Sequence, residues 1–232
     1  MDLLVNRGEF EILGQPEGDF NEIIKKAATT CYQSESTTKK SPSEFVKMLL
    51  DLGHWSMFDH IHVTVKFKNC SRGFTHELVR HRIAAYAQES TRYVDESNLK
   101  LIGPPNHDLV HESYVLENPH LKSLIGQALS FKDMGEIIEC FYRTLKYYGW
   151  KNEDARQLLP IGTKSEIVMT ADFTEWRHVF ALRTQKQAHW EIRYVMVNLL
   201  KEFKTRFAPI FDDFVSYGVD ENNIEFFKIV RP

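Results

Sequence analysis

Residues 80–93 read RHRIAAYAQESTRY: Arg80-His81-Arg82, seven residues, then Ser90-Thr91-Arg92-Tyr93. Two guanidiniums and an imidazole occupy three positions, with a hydroxyl pair and a third guanidinium close behind. Each arginine offers a permanently charged fork that can grip a phosphate or an imide edge through two hydrogen bonds. Such a group of cations repels itself unless an anion fills it, so the run points to a phosphorylated ligand. Upstream, Ser71 is placed to cap a helix through GFTHELVRHR (73–82). On that helix Arg80 and Arg82 stand about 200° apart around the axis, so if both bind ligands they serve two different ligands or two sites in an oligomer. For an isolated Arg-His-Arg run a solvated helix end is the preferred account. Ser90, Thr91 and Arg92 tilt the reading toward phosphate, since hydroxyls beside an arginine in a loop suit an anion.

Working outward, residues 8–14 (GEFEILG) alternate as a short strand, and residues 19–32 form a helix with Asp19 or Asn21 as N-cap. A hydroxyl-rich loop follows, one that can order around a ligand. Ser41-Pro42 then opens a helix that Gly53 terminates. Residues 60–68 alternate as a strand rich in β-branched side chains. Gly103-Pro104-Pro105 breaks the chain. Residues 120–149 read as mostly helical, with a junction at Phe131 and Lys132. Asn152 or Asp154 starts a short helix over DARQLLP, residues 165–172 form a strand, and two long helices cover FTEWRHVFALRTQ and AHWEIRYVMVNLLKEFKTRF. No βαβ rhythm appears. The expected class is α+β, organised as one catalytic domain over residues 1–232.

The bulk numbers narrow the partners. The net charge is −3, so no overall basic field attracts nucleic acid and phosphate binding is local. Aromatics make up 12% of the chain, 16 of them Phe, which fits a phenylalanine-rich core with some rings left for flat ligands or subunit contacts. Cys31, Cys70 and Cys140 form no CxxC pair and no zinc spacing. Their sparse, odd number suits a reducing, cytoplasmic setting. The N-terminal segment lacks a basic flank and a long apolar run, and no window has the length to span a bilayer.

Three groupings compete for chemistry. The Arg80–Arg92 run is the first. His60 and His62, on one face of a strand, are a potential metal dyad for a hydrolase or oxygenase. Nothing in the spacing selects further ligands, and histidines as structural hydrogen-bonders explain them more simply. Arg156 and Arg183 lie among apolar residues (Leu158, Leu159, Val179, Phe180, Leu182), where an arginine either pairs with a carboxylate or faces a ligand pocket. No GxGxxG, Walker loop or GxSxG elbow is present, so dinucleotide binding would not use a Rossmann turn. A non-catalytic nucleic-acid binder using the Arg80–Arg92 patch is opposed by the acidic net charge.

In these blocks the chain resembles the flavin-dependent thymidylate synthases. RHRIAAYAQESTRY satisfies their signature of RHR, seven residues and Ser, followed by x-Arg-Tyr. GHWSMFDH (53–60) is similar to their Gly-His-x-Ser-x-Phe-Glu-His segment, and ARQLLP and WRHVFALR…AHWEI resemble their later blocks in the same order. The likeness runs over roughly residues 20–205. It implies a twisted, mostly antiparallel sheet with flanking helices. It also implies reductive methylation of dUMP to dTMP, with methylenetetrahydrofolate giving the carbon and NADPH-reduced FAD the hydride. The resemblance implies as well that no enzyme cysteine acts as nucleophile and that no metal takes part. Carried over by position, Arg183 lies against the uracil edge as the catalytic group. Glu77, Arg80, Gln88, Glu89, Ser90, Thr91, Arg92 and Arg156 bind dUMP. His54, Ser56, Arg80, His81, Arg82, Gln88, Asp172 and His178 bind FAD. The resemblance further implies a homotetramer in which several subunits build each site. Four positions depart from the pattern. Glu77 stands where glutamine is common, and its carboxylate calls for a compensating cation, Arg80 or Arg156. Gln88 stands for glutamate, Ala85 for serine and Asp172 for asparagine.

Overall fold

The computed structural model describes residues 1–5, 8–33, 39–105, 114–115, 119 and 128–230. The chain divides into two compact units, each assembled from separate segments. The smaller comprises Met1–Arg7, Lys68–His76 and Gln88–Glu166; the larger comprises Gly8–Phe67, Glu77–Ala87 and Ile167–Pro232.

Most residues of a four-stranded sheet, β2 (Glu9–Gly14), β3 (His62–Ser71), β8 (Lys164–Asp172) and β4 (Ala85–Gln88) in that spatial order, belong to the larger unit. Burial alternates along β3 and β8, so Val63, Val65, Ile167, Met169 and Ala171 turn to one face and are buried. Thr64 and Thr170 meet on the other face, their hydroxyls 2.9 Å apart. Two helices supply the apolar cover, α6 (Phe173–Arg183) and α7 (Trp190–Arg206). Phe173, Trp176, Phe180, Phe203, Phe207, Phe211 and Phe214 form one continuous network of edge-to-face, tilted and stacked rings. Trp176 donates its indole N–H to the Val63 carbonyl at 3.1 Å, which satisfies the one polar atom this ring brings inside. The phenylalanine surplus of the composition goes into this core. Helices α1 (Phe20–Tyr32) and α2 (Pro42–Asp51) start where the sequence places them. Asp19 accepts from the Asn21 amide, and Ser41 with Glu44 forms a capping box. Gly53, at φ +70°, follows the end of α2. The loop expected to order around a ligand includes residues 34–38, which lie outside the described residues. A C-terminal antiparallel hairpin, β9 (Phe214–Val219) with β10 (Glu225–Ile229), completes this unit.

The smaller unit pairs β1 (Asp2–Val5) in parallel with β5 (Lys100–Gly103). It also pairs β6 (Tyr114–Val115) with β7 (Ala128–Leu129) in antiparallel fashion. Residues 128–129, expected to be helical, are therefore strand. Helix α4 (Phe131–Tyr147) begins at the anticipated junction, fixed by a capping box between Ser130 and Asp133. Residues 120–127 of the expected helix lie outside the described residues. The DARQLLP segment forms one short turn, α5 (Asn152–Ala155), continued by a 3-10 turn over Arg156–Leu158. Helices, antiparallel pairs and one parallel pair together make the α+β class.

Candidate active site

The expected helix through the Arg-His-Arg run ends early. Helix α3 covers Arg72–Leu78, with the Ser71 hydroxyl accepting the Phe74 amide at 3.0 Å as its cap. Arg80 lies in a turn, and His81 and Arg82 have no helical structure. Arg80 and Arg82 therefore do not stand about 200° apart on a helix, because α3 ends before both of them. At the end of the helix the Tyr86 phenol on β4 faces two backbone carbonyls as a donor. That oxygen lies 2.9 Å from the Leu78 carbonyl and 2.6 Å from that of His81, and its single proton serves one at a time. Arg80 and Arg82 are exposed and make no ion pair among the described residues, whereas His81 is only 3% exposed.

His81 reaches inward to Arg183, the last residue of α6. Arg183 Nε donates to His81 Nε2 at 3.0 Å, Nη1 to Glu77 Oε2 at 2.8 Å, and Nη2 to the Glu77 carbonyl at 2.9 Å. The cation that Glu77 meets is therefore Arg183. An imidazole that accepts at Nε2 carries its proton on Nδ1. Nδ1 is buried without a hydrogen-bond partner, 3.6 Å from a Glu175 oxygen. Burial, then the charges of Arg183 and His178, hold the His81 pKa down at about 4, so the ring is neutral near pH 7. Glu175 is pushed up by burial, opposed by His178 and reinforced by Asp172. The His178 ring meets His81 edge-on at 5.5 Å. Asp172 is the N-cap of α6, its Oδ1 accepting the Glu175 amide at 2.7 Å.

His54 and Ser56 follow the C-terminal end of α2, His54 just before and Ser56 within a 3-10 turn over Trp55–His60. They border a cavity of about 390 Å³ otherwise lined by apolar residues including Ala28, Phe45 and Leu49. Arg177 stacks on the Trp55 ring at 4.3 Å and pairs with Asp213 through two bonds of 2.7 and 2.6 Å, which anchors this turn. His60 closes the 3-10 turn and His62 opens β3, so they do not form a dyad on one strand face. Among the described residues no three His, Cys, Asp or Glu side chains cluster as metal ligands.

The smaller unit carries the rest of the expected residues. Gln88 donates to the Thr75 hydroxyl at 2.8 Å. Glu89 accepts from Lys164 at 3.2 Å and from the Glu166 amide at 3.0 Å. Burial works against the Lys164 ammonium, but hydrogen bonds to Glu166 and Glu89 raise its pKa. Ser90 starts a turn whose carbonyl takes the amides of Tyr93 and Val94, both at 3.0 Å. Thr91 is buried and accepts from Arg156 Nη1 at 3.4 Å; Arg156 Nε donates to the Glu153 carbonyl at 3.2 Å. Among the described residues Arg156 makes no ion pair, while the exposed Arg92 reaches Glu153 at 3.4 Å. Two arginines, a buried threonine and a serine turn thus gather in this unit, a set suited to an anionic group. The sequence reading missed Tyr86, Glu175, Lys164 and Glu153. Glu175 alone left a local trace, three residues before His178 on one helix face.

Comparison with known proteins follows the same lines. The family model described as thymidylate synthase complementing protein matches residues 15–210. The flavin-dependent thymidylate synthase of Pyrococcus abyssi is 36% identical over 192 residues, covering 80% of this chain and 75% of that protein. That of Mycobacterium avium is 28% identical over 204 residues, covering 83% and 78%. The solved structure of a UMP/dUMP methylase, PolB from Streptomyces cacaoi bound with 5-Br dUMP, superposes with a TM-score of 0.67 at 18% identity. It covers 88% of this chain and 93% of that one, which establishes the shared fold.

Proposed function

This chain belongs to the thymidylate synthase complementing protein family, that of the flavin-dependent thymidylate synthases, and we propose that it converts dUMP to dTMP. In this reading methylenetetrahydrofolate donates the carbon and NADPH is the reductant. FAD, when bound, supplies the hydride. The observation that carries the reading is Arg183, a guanidinium held at a helix end by Glu77 and a neutral His81. Of its five N–H donors, three are engaged among the described residues and two remain for a ligand. Beside a uracil ring that charge favours the N3 anion and raises electron density at C5, the carbon to be methylated. No proton of its own is needed.

Arg156, Ser90, Thr91 and Arg92 would take the phosphate, with Gln88 and Glu89 shaping the loop. The residues fit a flavin as well. Arg80 and Arg82 are exposed cations without ion-pair partners among the described residues, suited to a pyrophosphate. His81 Nδ1 is a buried N–H without an acceptor. His54 and Ser56 border an apolar cavity, and His178 stands against His81. Asp172 is engaged as a helix cap, so its part would be indirect. In a homotetramer, the two clusters of one chain need not serve the same bound nucleotide.

A metal-dependent reading through His60 and His62 is disfavoured by their placement and by the lack of a three-ligand cluster among the described residues. The test is an absorption spectrum with an activity assay. The purified protein should be yellow, oxidise NADPH faster with dUMP present, and form dTMP with methylenetetrahydrofolate. Arg183→Ala should lower turnover by roughly 10²–10³ while FAD is retained. Colourless protein indifferent to dUMP would end the reading.

A further inference from the structure

We infer that Glu77 is a positioning residue for Arg183 and acts through the guanidinium, not by touching the nucleotide. The inference rests on the reading of Arg183 as the group that polarises the pyrimidine. By position Glu77 would be a dUMP contact, and a bare carboxylate there repels an anionic substrate. The structure gives it another occupation. Glu77 presents two acceptors to one guanidinium, its carboxylate at 2.8 Å and its own carbonyl at 2.9 Å. His81, four residues on, adds a third at 3.0 Å. All three acceptors come from one turn whose carbonyls at Leu78 and His81 lie against the Tyr86 phenol.

A flexible arginine held at three points loses its rotameric freedom before substrate arrives. Its two remaining N–H groups are then fixed in direction, and the negative charge of Glu77 is matched locally. Arg183 and Glu77 are partly exposed, at 19% and 31%, so the pair borders solvent where a ligand can reach the guanidinium. Glu77 also acts on His189, just before α7, whose pKa burial lowers and the Glu77 charge pulls back up. No hydrogen bond joins those two among the described residues, which leaves Arg183 as the direct partner.

The experiment is a double-mutant cycle with Glu77→Ala, Arg183→Ala and the pair, measured twice: as dTMP turnover and as urea unfolding. Glu77→Ala should lower kcat roughly tenfold to a hundredfold with a smaller change in the KM for dUMP. It should do nothing further when Arg183 is already alanine. Glu77→Gln, which keeps an acceptor, should recover most of the loss. Equal effects of Glu77→Ala in both backgrounds, or a glutamine as poor as alanine, overturn the inference. If the wild-type protein makes no dTMP, the methyl-transfer reading falls on its own. The urea cycle then still decides whether Glu77 holds Arg183: additive midpoints mean it does not.

Discussion

His81 can accept from Arg183 only while it is neutral. Its pKa near 4, against the ordinary 6.5, keeps it so across the neutral range. Between those two values the unfolded chain binds a proton that the folded chain refuses. Stability from this residue is therefore complete above pH 6.5 and drains away as pH falls toward 4, by on the order of 3 kcal/mol. Urea unfolding at pH 7 and pH 4 should show wild type losing about that much more than His81→Gln. Equal losses would mean the imidazole titrates normally. At this scale the sequence announced the cations but not their partners. That Arg80 and Arg82 face solvent while His81 turns inward depends on where α3 stops. That, in turn, depends on the Tyr86 phenol beside the terminal carbonyls, a contact with no local signature.

Among the elements, the capped helix starts were legible and the strand pairings between distant segments were not. Ser41, Ser71 and Asp19 stand at the starts of α2, α3 and α1 as side-chain chemistry dictates. The strands β1 and β5 pair across about a hundred residues of chain, and such pairing leaves no short-range trace. The C-terminal hairpin β9–β10 was missed too, its alternation interrupted by a register shift between Phe226 and Phe227. Asp172 illustrates the same divide. Position in the family pattern puts it at the flavin, whereas geometry makes it the cap of α6. Asp172→Ala should cost about 1 kcal/mol in urea unfolding and Asp172→Asn close to nothing, because asparagine caps equally well. FAD titration of the Asn variant separates the roles: unchanged affinity leaves the residue a cap alone, and weakened affinity restores the contact.

For the molecule as a whole, the larger unit's aromatic network and its buried Arg177–Asp213 ion pair bind distant parts of the sequence together. Arg177 on α6 holds Asp213, beyond α7, and lies under Trp55 in the turn that carries His54 and Ser56. Asp213→Ala leaves that guanidinium buried and unmatched. It should cost roughly 3–5 kcal/mol, read as a lowered unfolding midpoint. Asp213→Ala with Arg177→Met, which removes the stranded charge, should recover much of it. The chain passes between the two units five times, at 7–8, 67–68, 76–77, 87–88 and 166–167. This sets an order of manufacture. Every segment of the smaller unit has been synthesised once residue 166 is added, whereas the larger still awaits α6, α7 and the hairpin. Until translation finishes, β2 and most of β3 emerge with their apolar side bare, a sticky nascent intermediate that invites chaperone capture.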